Sequence, residues 1–171
     1  MTSQDLTGLL ISLAQIGAAF AGFAALVSVL RERGKQADAL HDILRLRVVI
    51  STSILVVAAS LFPMGFGLFD IGERWVWGVS ALLLMSLNYA IFISFVRTYS
   101  PVKNEFAPDM LAVGVVGALE LLDQLALLAI IFNMLPEKSF ALYIAALIMN
   151  ILQAAFVFMR YVGSEFRALK T

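Results

Sequence analysis

Two carboxylates, Glu120 and Asp123, stand one helical turn apart inside a run of Leu, Ile, Val and Ala long enough to cross a bilayer. Acidic side chains at membrane depth are costly, rare and by default mark proton or ion pathways. A second polar pair, Asn150 and Gln153, repeats the three-residue spacing in the next apolar run. Both pairs lie equally far from the turn residues Pro136 and Glu137. An antiparallel hairpin folded there sets each acid opposite an amide at the same depth. An amide donates to a carboxylate and accepts from a protonated acid, so it suits both states of such a pair. No Lys or Arg lies deep enough in these runs to form an ion pair. The two acids are therefore expected to hold one shared proton or one bound cation.

Their cost sets how strongly they need partners. A central Asp opposes membrane insertion by roughly 2.5–3.5 kcal/mol, whereas each Leu, Ile, Phe or Val favours it by roughly 0.3–0.6 kcal/mol. The 13 such residues between Leu111 and Phe132 contribute about 4–8 kcal/mol, which two acids nearly cancel. This run inserts only marginally alone. Candidate supporting groups are Gln124 on the acids' own face, Asn150 and Gln153 from the fifth run, Asn88 from the third and Gln15 from the first, with Ser60 a weaker contributor. Val113, Gly117 and Leu127 are expected on the same face as the acids. The competing expectation is structural, with both acids neutral and merely tying helices together. Membrane hydrogen bonds average only about 0.6 kcal/mol, so that role recovers little of the cost.

Five apolar runs must position these groups: approximately Leu6–Leu30, Leu44–Phe69, Arg74–Val96, Met110–Leu135 and Ser139–Val162. Each reaches the roughly 20 residues that span the hydrocarbon. Apolar residues are 61% and charged residues 14% of the 171 positions, against about 25% charged in soluble domains. Mean hydropathy is +0.93. The fold expected is all-α, a polytopic bundle of five transmembrane helices forming one integral membrane domain over residues 1–171. Strands of a membrane barrel are excluded because alternating segments of about 10 residues are absent. The first run lacks a positive leader, its only early charge being Asp5, and it reads as a retained helix.

Ten of the 12 Lys and Arg residues fall on one side of this topology: Arg31, Arg33, Lys35, Arg45, Arg47, Arg97, Lys103, Arg160, Arg167 and Lys170. Arg74 and Lys138 fall on the other. That bias predicts an N-terminus outside and a C-terminus in the cytoplasm. Trp75, Trp77, Phe66 and Phe69 are expected at the outer interface, and Tyr99 and Tyr161 at the inner one. The link between the first two runs reads as a short amphipathic extension of the second helix, with Asp38 a candidate N-cap. Pro63, Gly65 and Gly67 predict a kink or early fraying at that helix's far end, and residues 133–139 a tight turn.

The first run also carries small residues at helical spacing. Ala14, Ala18, Gly22 and Ala25 form one stripe, and Gly17 and Ala21 a second. Small faces let helix backbones approach closely in lipid. Packing within the chain is the favoured reading, a homo-oligomer contact the alternative.

Other chemistry is poorly represented. With no Cys, and His41 the only histidine, in a polar link, thiolate sites and histidine clusters are excluded. No metal or cofactor is expected, and no nucleic-acid partner, since net charge is zero. Ser51, Thr52 and Ser53 are expected to bond back to their own helix. An intramembrane enzyme is the least favoured class. The glycine–alanine–phenylalanine opening is generic for small bacterial inner-membrane proteins and transfers no activity. The expectation is therefore a multi-pass cell-membrane protein, in contact with membrane lipids, forming a homo-oligomeric ion- or proton-conducting channel or transporter. The alternative is a non-conducting accessory subunit of a larger membrane complex.

Overall fold

The structure, a computed structural model, describes residues 3–30, 36–100 and 110–168. It is built from five long helices: α1 (Ser3–Leu30), α2 (Gln36–Gly67), α3 (Glu73–Tyr99), α4 (Met110–Ile131) and α5 (Ser139–Ala168). All five are long and apolar enough to cross a membrane, over Asp5–Val29, Ile43–Gly67, Glu73–Tyr99, Met110–Ile131 and Pro136–Gly163. These are the lengths and composition of a multi-pass membrane protein.

Helices α2, α3, α4 and α5 form a ring in which each packs on the next and α5 closes against α2. Helix α1 lies outside the ring, chiefly against α2. Close approach at Gly17 makes this contact: a Cβ built there would stand 2.8 Å from the Ser53 carbonyl oxygen and 3.2 Å from Val57 Cγ2. Gly17 and Ala24 are buried in this seam, whereas Ala18, Gly22 and Ala25 are exposed. The two stripes of α1 thus part company. One packs within the chain, and the other faces outward, with nothing within 4 Å of a Cβ at Gly22.

Two turns close one end of the bundle, which we call the hairpin end. Helix α4 stops at Ile131, four residues before the sequence-based boundary at Leu135. The cause is Asn133, whose φ of 53° breaks the helix. Asn133 N–H donates to the Ile130 carbonyl and Met134 N–H to the Ala129 carbonyl, both at 2.9 Å. This is a Schellman motif with Asn in the left-handed position usually taken by Gly. Helix α2 likewise runs through Pro63 and ends at Gly67, two residues before the expected Phe69, ahead of Asp70 with φ 51°. At its other end α2 begins at Gln36, two residues before the Asp38 boundary expected from the sequence. Residues 31–35 and 101–109, which carry Arg31, Arg33, Lys35 and Lys103, lie outside the described residues, as does Lys170.

Two aromatic expectations are corrected. Trp77 is only 7% exposed and belongs to the core, where its ring meets Phe140 and Tyr143 at 5.5 and 5.7 Å. Tyr161 is 1% exposed and packs with Ala24, Leu46, Val49 and Ala154. Each ring fills a gap between helices that a smaller side chain would leave open, so packing outcompetes the bilayer interface. Trp75 and Phe69 are exposed, and Tyr99 stacks on Phe95.

Candidate functional site

The ring interior is where α4 delivers its acids. From Glu120 to either end of α4 is about 15 Å at 1.5 Å per residue, so it lies near the middle of the span Met110–Ile131. Asp123 is fully buried, while Glu120 is half-buried. Gln124 is one turn from Glu120 on the same face, and its Nε2 donates to Glu120 Oε1 at 2.8 Å and to Asp123 Oδ2 at 3.4 Å. One amide thus bridges both acids.

Neighbouring helices supply the other donors. Asn88 Nδ2 of α3 donates to Asp123 Oδ2 at 2.8 Å. Gln153 Nε2 of α5 donates to Glu120 Oε2 at 3.2 Å, the equal-depth pairing that the hairpin spacing implies. The second pairing differs. Asn150 stands beside the Asp123 carboxyl, but its Nδ2 donates at 3.0 Å to the Ala146 carbonyl one turn back. The first donor to Asp123 is therefore Asn88, because α3 closes the ring at that level.

Three oxygens at the centre are left without partners: Asp123 Oδ1, Gln124 Oε1 and Asn150 Oδ1. All three are acceptors. Ser53 Oγ of α2 and Ser80 Oγ of α3 are also buried and unpartnered. Tyr143 fixes the level of Ser53, since its hydroxyl donates to the Ala59 carbonyl at 2.8 Å and so ties α5 to α2. About 10 Å from that tie along either helix lie Asn150 and Ser53, which therefore share a depth. Sequence reasoning missed Ser53 and Ser80 as interior polar groups. Ser60 does bond back to its own helix, to the Val56 carbonyl at 2.8 Å, whereas Ser53 does not. A serine in an apolar run shows no difference between these outcomes until its neighbours are known.

One other expectation fails. Gln15 is exposed on α1, outside the ring, and no hydrogen bond joins it to the acids. Val113 and Gly117 share the acids' helical face as expected, but they are exposed, and nothing lies within 4 Å of a Cβ at Gly114 or Gly117. Helix α4 packs closely only over its half nearer the hairpin end, where Asp123, Ala126, Leu127 and Ile130 are buried. Glu120 therefore sits where the closed half gives way to the open half.

Chemically the arrangement is a cluster of carboxyl and amide groups with more buried acceptors than donors. It suits one proton or one small cation, since either satisfies acceptors that are otherwise unpaired. Among the described residues no group of three His, Asp or Glu side chains forms a site for a multivalent metal ion. The two amide hydrogen bonds that cross between helices return roughly 1 kcal/mol at the membrane average, against roughly 5–7 kcal/mol for inserting two acids. Tying helices together does not repay the acids.

Comparison with protein-family models, with curated proteins and with solved structures finds no match for this chain.

Proposed function

We propose that the chain is a small ion- or proton-conducting protein of the cell membrane, a homo-oligomer in which each protomer carries its own site at Glu120 and Asp123. The observation that supports it most is the fully buried Asp123, whose Oδ1 is unpartnered, as are the amide oxygens of the neighbouring Gln124 and Asn150. A buried polar atom without a partner costs more than a hydrogen bond returns. It is retained where something binds there.

The roles follow from position. Glu120, at the boundary of the open half of α4, receives the proton or cation. Gln124 touches both acids and keeps the two carboxyl groups in register. Asp123 holds the ion in the closed interior, where Asn150 accepts from a protonated acid through Oδ1. The amides that bond the two acids all come from one chain, which favours conduction through each protomer over a shared central pore. Association uses the outward stripe Ala14, Ala18, Gly22 and Ala25, whose small side chains admit a close neighbour. The charge bias of the sequence orients the N-terminus outside and the C-terminus in the cytoplasm, in a bacterial inner membrane.

Purified protein in liposomes is expected to dissipate an imposed proton or Na⁺ gradient faster than empty vesicles. Flux at the level of empty vesicles under both gradients overturns the proposal. The same exposed stripe favours a second reading, a non-conducting accessory subunit. It predicts no flux and a membrane partner that co-purifies in mild detergent and is lost when Gly22 is enlarged.

A further inference from the structure

We propose that the groove between α2 and α3 binds one acyl chain of an anionic phospholipid, with the lipid phosphate held at Arg47. This site is separate from the acidic pair and does not depend on the conducting function.

The groove has a volume of about 510 Å³. Its floor and walls are mainly apolar, with Val48, Leu55, Leu87, Ile91 and Phe95 prominent. Its upper end is polar. Arg47 Nη2 donates to Ser94 Oγ at 2.9 Å and Nη1 to Thr98 Oγ1 at 3.4 Å. These bonds pin the guanidinium across the last turn of α3, which ends at Tyr99. They use two of the five N–H donors of an arginine, and the side chain is exposed. A fixed guanidinium with donors to spare matches a phosphate oxygen pair.

Depth and width select the occupant. From Arg47 to Ala58, both groove residues, is about 16 Å of helix at 1.5 Å per residue. That is half of the roughly 30 Å hydrocarbon core, the depth of one leaflet. Arg47 lies about one turn inside the end of the span Ile43–Gly67, and the apolar walls run from there to the middle of that span. An extended hydrocarbon chain suits a narrow apolar groove of this length.

Charge selects the headgroup. A second cleft shares Ala90, Ser94 and Thr98 with the groove and has Arg97 in its lining. Among the described residues no acidic side chain lines either one. A groove end that carries arginine and no neighbouring acid among the described residues favours a lipid whose net charge is negative over a zwitterionic one.

The test is native mass spectrometry of delipidated full-length protein titrated with phosphatidylglycerol or phosphatidylcholine. Wild type is expected to retain phosphatidylglycerol in preference. Arg47→Gln is expected to weaken phosphatidylglycerol retention about 5-fold, the effect of one surface cation, with a smaller loss for phosphatidylcholine, whose choline partly offsets the phosphate charge. Ala90→Phe, at an exposed groove position, is expected to abolish retention of both. If either variant fails to fold, wild type answers alone: phosphatidylglycerol with a photoreactive acyl chain is expected to label residues 44–58 and 87–98. Equal retention of the two lipids, unchanged retention in Arg47→Gln, or labelling spread evenly over all five helices overturns the proposal. So does an Ala90→Phe protein that loses self-association while keeping its lipid.

Discussion

Asp123→Asn is expected to reduce proton- or cation-coupled flux in liposomes to the level of empty vesicles while the protein stays folded. The substitution keeps the shape of the side chain and its contact with Asn88. What it removes is the ability to gain and lose a charge. Asn at the helix centre is also less costly to insert than Asp, so the variant is expected to match or exceed wild type in thermal stability. Glu120→Gln is expected to lose flux as well, since Glu120 stands at the open boundary of α4. Circular dichroism and melting temperature check the fold, and ion-sensitive dyes check the flux. Two folded variants with wild-type flux end the conducting reading.

The second large effect is on stability and arises far from the acids in sequence. Gly17→Val is expected to destabilise the protein by about 1–3 kcal/mol, the usual cost of overpacking. A Cβ at Gly17 already meets a backbone oxygen, that of Ser53, at 2.8 Å, with Val56 and Val57 close behind. Backbone cannot swing aside as a side-chain end does. Helix α1 must therefore lift off α2, or α2 must shift at the depth of Asn150. Gly22→Val is the control, because a Cβ there meets nothing. It is expected to leave protomer stability unchanged and to weaken self-association. Equal loss of stability in both variants, followed by thermal unfolding in detergent, contradicts the division of α1 into an inner and an outer face.

The existence of five helices was legible because each apolar run is long and nearly free of charge, a signal that length and composition carry without neighbours. Helix ends were less so. Asn133 stops α4 by adopting a left-handed conformation, which asparagine permits but does not demand, so the apolar Phe132, Met134 and Leu135 carried the sequence-based span too far. Depth within the α4–α5 hairpin was legible from spacing about a short turn, and Gln153 meets Glu120 at 3.2 Å. Which helices surround that hairpin was not. Asn88 was one of several amides near the midplane, and only closure of the ring separates it from Gln15, which points outward. Trp77 and Tyr161 misled for a related reason. Their amphipathic rings fit an interface, yet interhelical gaps of matching size claimed both.

The most direct test of the central claim is solid-state NMR of the protein in lipid bilayers, following the ¹³C-labelled carboxyl carbons of Asp and Glu. If the pair exchanges a proton or a cation with the aqueous phase, the resonance of Asp123 or Glu120 moves as bulk pH or Na⁺ concentration is varied. Asn150→Ala then alters that response by removing the neighbouring amide oxygen. Carboxyl resonances at both positions that stay fixed across all conditions contradict the account, and leave the acids as a locked tie between α3, α4 and α5.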